Sequence, residues 1–237
     1  MEENMSQTVF ITGANRGLGL EFVNQLSTQL ETRVVASCRD INKAEALRQL
    51  SLSRDNISMY SLDVAANDWQ NQLDMATASL SAIDLLILNA GVFGDRGVSV
   101  GNIDQQNLAD VFHTNAFAPL LIADHLIEKV VKSNSKLIVA ITSRMGSIGD
   151  NTSGGRYAYR GSKAALNAMM VSLAKDVEQM GVKVLLLHPG WVKTSMGGDN
   201  AYIDAETSVS GMLELIDRAP QLESGSFLAY DGRSLPF

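Results

Sequence analysis

The sequence predicts an α/β fold: a doubly wound parallel sheet of seven strands in the order 3-2-1-4-5-6-7, with helices on both faces. Three observations predict it. Short apolar runs alternate with segments whose apolar residues recur at helical spacing, which is the pattern of successive strand–helix units. Some runs are apolar throughout, Leu85-Leu-Ile-Leu88 and Val184-Leu-Leu-Leu187 among them, as strands covered on both sides must be. The first run leads straight into a glycine cluster that opens a helix.

That first unit is Val9-Phe-Ile-Thr12 followed by Gly13-Ala14-Asn15-Arg16-Gly17-Leu18-Gly19, after which Leu20, Val23, Leu26 and Leu30 mark a helical stripe. Glycines let the chain turn sharply and let its backbone approach a ligand, and the free N–H groups of the helix start favour a phosphate. The spacing, Gly-x3-Gly-x-Gly, differs from the Gly-x-Gly-x-x-Gly dinucleotide fingerprint. Further strands are expected at 33–37, 57–61, 85–88, 137–141, 182–187 and 226–228, and helices at 18–30, 42–52, 69–80, 105–131, 157–180 and 204–217. The Gly-, Ser- and Asn-rich stretch 146–155 reads as a loop after the fifth strand. No repeat or linker divides the chain, so residues 1–237 are expected to form a single domain.

Composition narrows the function. The net charge of −7 argues against a nucleic-acid surface, which needs a basic stripe. The single Cys38 excludes an internal disulfide framework and fits a reducing compartment. No run reaches the roughly 18 apolar residues of a membrane span, and the acidic start Met1-Glu2-Glu3-Asn4 lacks the basic beginning of a signal peptide, so a cytoplasmic protein is expected. His113, His125 and His188 are scattered without metal-ligand spacing, and no metal is expected.

Chemistry concentrates in Tyr157-Ala-Tyr159-Arg-Gly-Ser-Lys163. On a helix, Tyr159 and Lys163 share one face about a turn apart. An ammonium beside a phenol favours the phenolate, so the Tyr159 pKa is expected to fall, as a proton-exchanging tyrosine requires. Tyr157 has no lysine four positions on. Asn115 lies on the apolar stripe of Leu108, Val111, Phe112 and Ala118, where a polar side chain needs a partner. Pro119 lacks the N–H that would bond the Asn115 carbonyl, so a kink is expected there, with that carbonyl free to hold a water.

Thr12-Gly13-x3-Gly17-Leu18-Gly19, Asn89-Ala90-Gly91, Asn115, Ser143, Tyr159-x3-Lys163 and Pro189-Gly190, in this order, resemble the short-chain dehydrogenase/reductase family. The resemblance runs from about Thr8 to the C-terminus. His188-Pro-Gly-Trp-Val-Lys-Thr194 and Tyr230-Asp-Gly-Arg-Ser-Leu-Pro236 resemble the C-factor and sniffer group of carbonyl reductases. The resemblance implies a Rossmann-type domain binding a nicotinamide dinucleotide. It implies Tyr159 as general acid, Lys163 lowering its pKa and bonding the nicotinamide ribose, Ser143 bonding the substrate oxygen, and a relay through an Asn115-held water. It further implies that Gly13, Asn15, Arg16, Gly17, Leu18 and Gly19 form the phosphate turn, that Asp63 and Val64 hold the adenine, and that Asn89, Ala90 and Gly91 pack beneath the cofactor. Pro189, Gly190, Val192 and Thr194 would grip the carboxamide.

The choice of dinucleotide is read at the end of the second strand, where an NAD site usually places a carboxylate. Here Arg39 stands there, with Arg16 nearby, and guanidinium suits a 2′-phosphate. NADP(H) is therefore expected over NAD(H), although a shift of one residue would put Asp40 near the ribose. Trp191, Met145, Phe93, Met196 and Tyr202 are candidates for an apolar substrate wall, and the stretch after Thr194 resembles the family's mobile substrate lid. The expected reaction is reduction of a small-molecule carbonyl to an alcohol. The alternative is a C-factor-type signalling protein that binds the dinucleotide with little turnover. A homodimer or homotetramer, paired through helices 105–131 and 157–180, is also expected, with no nucleic-acid or membrane partner.

Overall fold

The computed structural model describes residues 7–237, so the acidic start at residues 1–4 lies outside the described residues. Seven parallel strands form one sheet in the order β3-β2-β1-β4-β5-β6-β7. They are β1 (Gln7–Thr12), β2 (Thr32–Cys38), β3 (Ile57–Ser61), β4 (Leu85–Leu88), β5 (Leu137–Ile141), β6 (Lys183–His188) and β7 (Phe227–Ala229). The helices are α1 (Gly17–Leu26), α2 (Glu45–Ser53), α3 (Trp69–Thr77), α4 (Gln105–Phe112), α5 (Ala118–Val131), α6 (Tyr157–Asp176) and α7 (Ala205–Asp217).

Strand side chains alternate between two cores. Val9, Ile11, Leu85, Ile87, Leu137, Val139, Leu185 and Leu187 pack with α1, α2 and α7 through residues such as Phe22, Leu47 and Met212. Phe10, Leu86, Leu88, Ile138, Ala140, Val184 and Leu186 pack with α3, α5 and α6 through Leu73, Leu126 and Met170. Both faces are dry, which is why these strands have continuous apolar sequences.

Five helices differ from the sequence expectation: the one at 42–52 begins at Glu45 after a 3₁₀ turn, Ile41–Lys43, the one at 69–80 ends at Thr77, and three more differ as follows. Helix α1 stops at Leu26, because the Ser27 and Thr28 hydroxyls donate to the Asn24 and Gln25 carbonyls (3.2 and 2.6 Å) and close the last turn. Leu30, expected on its apolar stripe, is 93% exposed. The long helix at 105–131 is two helices joined by a π-helical turn, His113–Phe117. Pro119 lies in the first turn of α5, where its missing N–H cannot bond Asn115, and the Ala118 N–H reaches back to the His113 carbonyl across the wider turn. The break expected before Pro119 takes the form of this widened turn. The helix at 157–180 ends at Asp176 and finishes as a short 3₁₀ turn, Glu178–Met180.

Candidate active site

Strand order reverses beside β1: β2 and β3 lie on one side of it, β4 and β5 on the other. Ligands of such sheets bind beyond the strand carboxyl ends at this reversal. A cavity of about 910 Å³ opens there, walled by the turn after β1, the ends of β2 and β3, the loop after β4, the start of α6 and the segment after β6.

Local chemistry explains the floor of this cavity. The Thr12 hydroxyl accepts from the Asn89 and Ala90 amides (both 3.0 Å), and the Asn89 carboxamide donates to the Thr12 and Gly13 carbonyls (3.0 and 2.9 Å). These bonds tie the end of β1 to the end of β4. The glycine turn then passes so close that a Cβ on Gly13 would lie 2.8 Å from the Ala90 Cα, and one on Gly19 would lie 2.2 Å from the Gly13 carbonyl oxygen. Gly13 also has φ +69°, in the left-handed region.

Of the residues expected at a cofactor, Gly13, Asn15, Arg16, Gly17, Leu18, Gly19, Arg39, Asp63, Val64, Asn89, Ala90, Gly91, Pro189, Thr194, Tyr159 and Lys163 line this one cavity. Gly190 and Val192 stand outside the lining. Val192 is buried and bridges to Ile203, and Gly190, at φ +83°, packs against Ile203 and Tyr230. The lining also contains Cys38, Lys43, Thr114, Thr142 and Ser195, which no sequence signal had marked. Lys43 pairs with Asp40 (3.3 Å), and the Asn42 amide donates to the same carboxylate (3.0 Å). The Asn42 bond, with help from Lys43, holds the Asp40 carboxyl below its usual range. Arg39 has no carboxylate within ion-pair distance among the described residues.

These features fit a phosphorylated dinucleotide. The glycines leave bare backbone along the wall, Arg39 makes no ion pair among the described residues, and Asp40, which lines the same cavity, is already bonded to Asn42 and Lys43. Gly91 belongs to the same design: a Cβ there would sit 3.2 Å from the Asn115 Oδ1 and 3.7 Å from the Lys163 Nζ.

At the inner end, α6 presents Tyr159 and Lys163 on one face, both buried. The Lys163 ammonium donates to the Ile141 carbonyl (2.8 Å) and lies 6.0 Å from the centroid of the Tyr159 ring. Burial pushes its pKa down to about 8. The expected lowering of the Tyr159 pKa is not what the site produces. Burial drives this phenol upward, and hydrogen bonding with Ser143 opposes it only in part. The physical reason is that the ammonium is aimed at a carbonyl rather than at the hydroxyl, while both groups are out of water.

Ser143 lies just past the end of β5 and is buried; its hydroxyl accepts from the Met145 amide (3.1 Å). Asn115, fully buried in the π turn, accepts from the Val92 amide and donates to the Val92 carbonyl (2.8 Å each). It also donates to the Ser162 hydroxyl (3.1 Å), which in turn donates to the Tyr159 carbonyl (2.9 Å). The Asn115 side chain therefore pins the loop after β4 to the helix carrying Tyr159, a link through Ser162 that the sequence did not reveal.

Around the mouth, Phe93 stacks on Tyr159 (centroids 4.7 Å, planes 25° apart). Trp191 meets Tyr202 edge-on (5.8 Å), and its indole donates to the Gly197 carbonyl (2.8 Å). Met196 lines the dinucleotide cavity, Met145 is half-buried, and Tyr157 is 38% exposed. The Arg16 guanidinium donates to the Ser195 hydroxyl (2.6 Å) and Arg96 to the Met196 carbonyl (2.6 Å), which fastens the segment after Thr194 across the opening.

Comparison with known proteins shows the family and the fold. The family model described as short chain dehydrogenase matches residues 7–202. The C-signal protein of Myxococcus xanthus is 42% identical over 155 residues, covering 65% of this chain and 93% of that protein. Among solved structures, the carbonyl reductase Sniffer of D. melanogaster superposes with a TM-score of 0.90 at 31% identity, over 98% of this chain and 100% of that one. An NADPH-bound carbonyl reductase from chicken fatty liver gives a TM-score of 0.88 at 32% identity, over 98% and 99% of the two chains.

Proposed function

We propose, from the premise that this chain belongs to the short-chain dehydrogenase/reductase family and to its C-factor and sniffer-like group, that it is one NADPH-binding domain that reduces a small carbonyl compound to an alcohol. The observation that carries the reading is the convergence of Tyr159 and Lys163 on the inner end of a cavity whose outer end holds the glycine turn and Arg39. When bound, NADPH supplies the hydride. Tyr159 donates the proton to the carbonyl oxygen, and Ser143 hydrogen-bonds that oxygen as charge develops on it. A buried phenol whose pKa is raised stays protonated near neutral pH, which is the state an acid needs in the reducing direction. Lys163 holds the nicotinamide ribose and supplies positive charge behind the phenol as the proton leaves. Asn115 fixes the position of α6 and holds the water of a relay toward Lys163.

Arg39 and Arg16 take the 2′-phosphate, and Asp40, which lines the same cavity, has its carboxylate engaged by the Asn42 amide and Lys43. Asp63 and Val64 receive the adenine, and Pro189, Gly190, Val192 and Thr194 form the segment at the carboxamide. The NADPH-bound carbonyl reductase among the similar structures supports this choice of cofactor. We place the protein in the cytoplasm and read it as a homodimer or homotetramer; among the described residues no helix is long and apolar enough to cross a membrane.

The test is NADPH oxidation against a panel of aldehydes and ketones, with NADH in parallel. Tyr159→Phe is expected to lower turnover about 10²- to 10⁴-fold while NADPH binding is kept. Equal catalytic efficiency with NADH would refute the cofactor assignment. The similarity to the C-signal protein favours one other reading, a dinucleotide-binding signalling protein with little turnover. Tight NADPH binding with no turnover by the wild type would establish that reading instead.

A further inference from the structure

We propose that the carbonyl substrate carries a carboxylate, held by Arg96 and Arg156 beside Tyr159; this rests on the reductase reading of the same site. The Phe93 ring that stacks on Tyr159 has two cations around it. The Arg96 Cζ lies 4.8 Å from its centroid and the Arg156 Cζ 5.6 Å. The two arginines come from separate segments, the loop after β4 and the residue preceding α6, so their meeting is a product of the fold rather than of local sequence.

Their charge is unopposed. Among the described residues neither has a carboxylate within ion-pair distance. Asp95 lines the small crevice beneath Phe93 and Arg156 and pairs with neither arginine. Two like charges gathered at one ring repel each other, and an anion set between them relieves that repulsion.

Donors remain for such an anion. Arg96 gives one N–H to the Met196 carbonyl (2.6 Å) and Arg156 gives one to the Arg96 carbonyl. A guanidinium carries five, in a planar fork that matches a carboxylate. The backbone adds a further sign. Arg156 has φ +54°, a left-handed conformation that non-glycine residues seldom adopt, and its side chain does not cap the helix it precedes. An arginine is kept at a strained position where its one visible use is to face Phe93 and the loop of Arg96.

The experiment compares 4-formylbenzoate with its methyl ester as substrates of the full chain and NADPH. The carboxylate is expected to have a kcat/KM about tenfold or more above that of the ester, carried mainly by KM, as charge-assisted bonds to guanidinium imply. In the double variant Arg96→Gln/Arg156→Asn this ratio should fall to within about twofold of unity. Asparagine tolerates the left-handed backbone, so the start of α6 is preserved. Arg33→Gln, whose arginine donates to Ser79 far from the site, should keep the wild-type ratio. A wild-type ratio near or below one, or a ratio that survives the double substitution, overturns the proposal and leaves the arginines as packing for the Phe93 wall. Failure of the wild type to turn over either aldehyde sinks the reductase reading instead. Calorimetric binding of the two compounds to NADPH-saturated protein then decides the charge preference, and equal affinity rejects it.

Discussion

Lys163 is where the energetics of single residues are most exposed to test. Its ammonium is buried against the Ile141 carbonyl with a pKa of about 8, against 10.5 for the free side chain. Below pH 8 both folded and unfolded chains carry the proton, and the folded chain bears the full desolvation penalty. Between about pH 8 and 10.5 the unfolded chain holds more protons, so this residue's contribution to stability rises with pH through that window. Lys163→Met should therefore stabilise the fold near pH 7 by about 2 kcal/mol. This sets about 3 kcal/mol for the pKa difference against about 1 kcal/mol for the orphaned carbonyl. The gain should shrink toward pH 10.5, and denaturant unfolding at several pH values measures it. A gain that does not change with pH would show that the desolvation account is wrong. Tyr159 and Lys163 were legible because helical spacing alone brings them together. The pairings of Ser162 with Asn115 and of Thr12 with Asn89 were not, because the partners are 47 and 77 positions apart and nothing local marks them. The direction of the Tyr159 pKa was misread for a related reason: spacing places a lysine near a phenol but does not say where the ammonium points.

Among elements, the turn from β1 into α1 is the most constrained. Its glycines are required by contact as well as by conformation. Gly19→Ala would drive a methyl to 2.2 Å from the Gly13 carbonyl oxygen, backbone that no rotamer change can move aside. The expected outcome is a loss of stability of about 2–4 kcal/mol, together with loss of NADPH binding, read by thermal unfolding and calorimetry. An alanine variant with wild-type stability and affinity would mean that the turn relaxes freely. Sequence periodicity found every strand and the core of every helix, because burial on two faces writes itself into apolar runs. It failed at helix ends and at the π turn. The closing bonds of Ser27 and Thr28 and the wider register before Pro119 depend on competition among backbone partners, which hydrophobic spacing does not record.

For the molecule as a whole, the sheet order and the position of the cavity followed from the alternation of elements, since a doubly wound sheet has few ways to connect them. The assembly did not. The π turn and helices α5 and α6 leave Phe117, Leu121 and Tyr157 between 38% and 42% exposed, and sedimentation at micromolar concentration should return two or four times the chain mass. A single-chain mass would refute the oligomer. One long-range bond has a further implication. Arg16, in the first turn of the chain, donates to Ser195, 179 positions later. A guanidinium proposed for the phosphate is thus also an anchor of the flap across the substrate opening. Occupancy at the two ends of the crevice is then thermodynamically linked: whatever factor NADPH exerts on substrate affinity, substrate must exert on NADPH. Ser195→Ala, at a residue that itself lines the cavity, should bring that factor closer to one in paired calorimetric titrations.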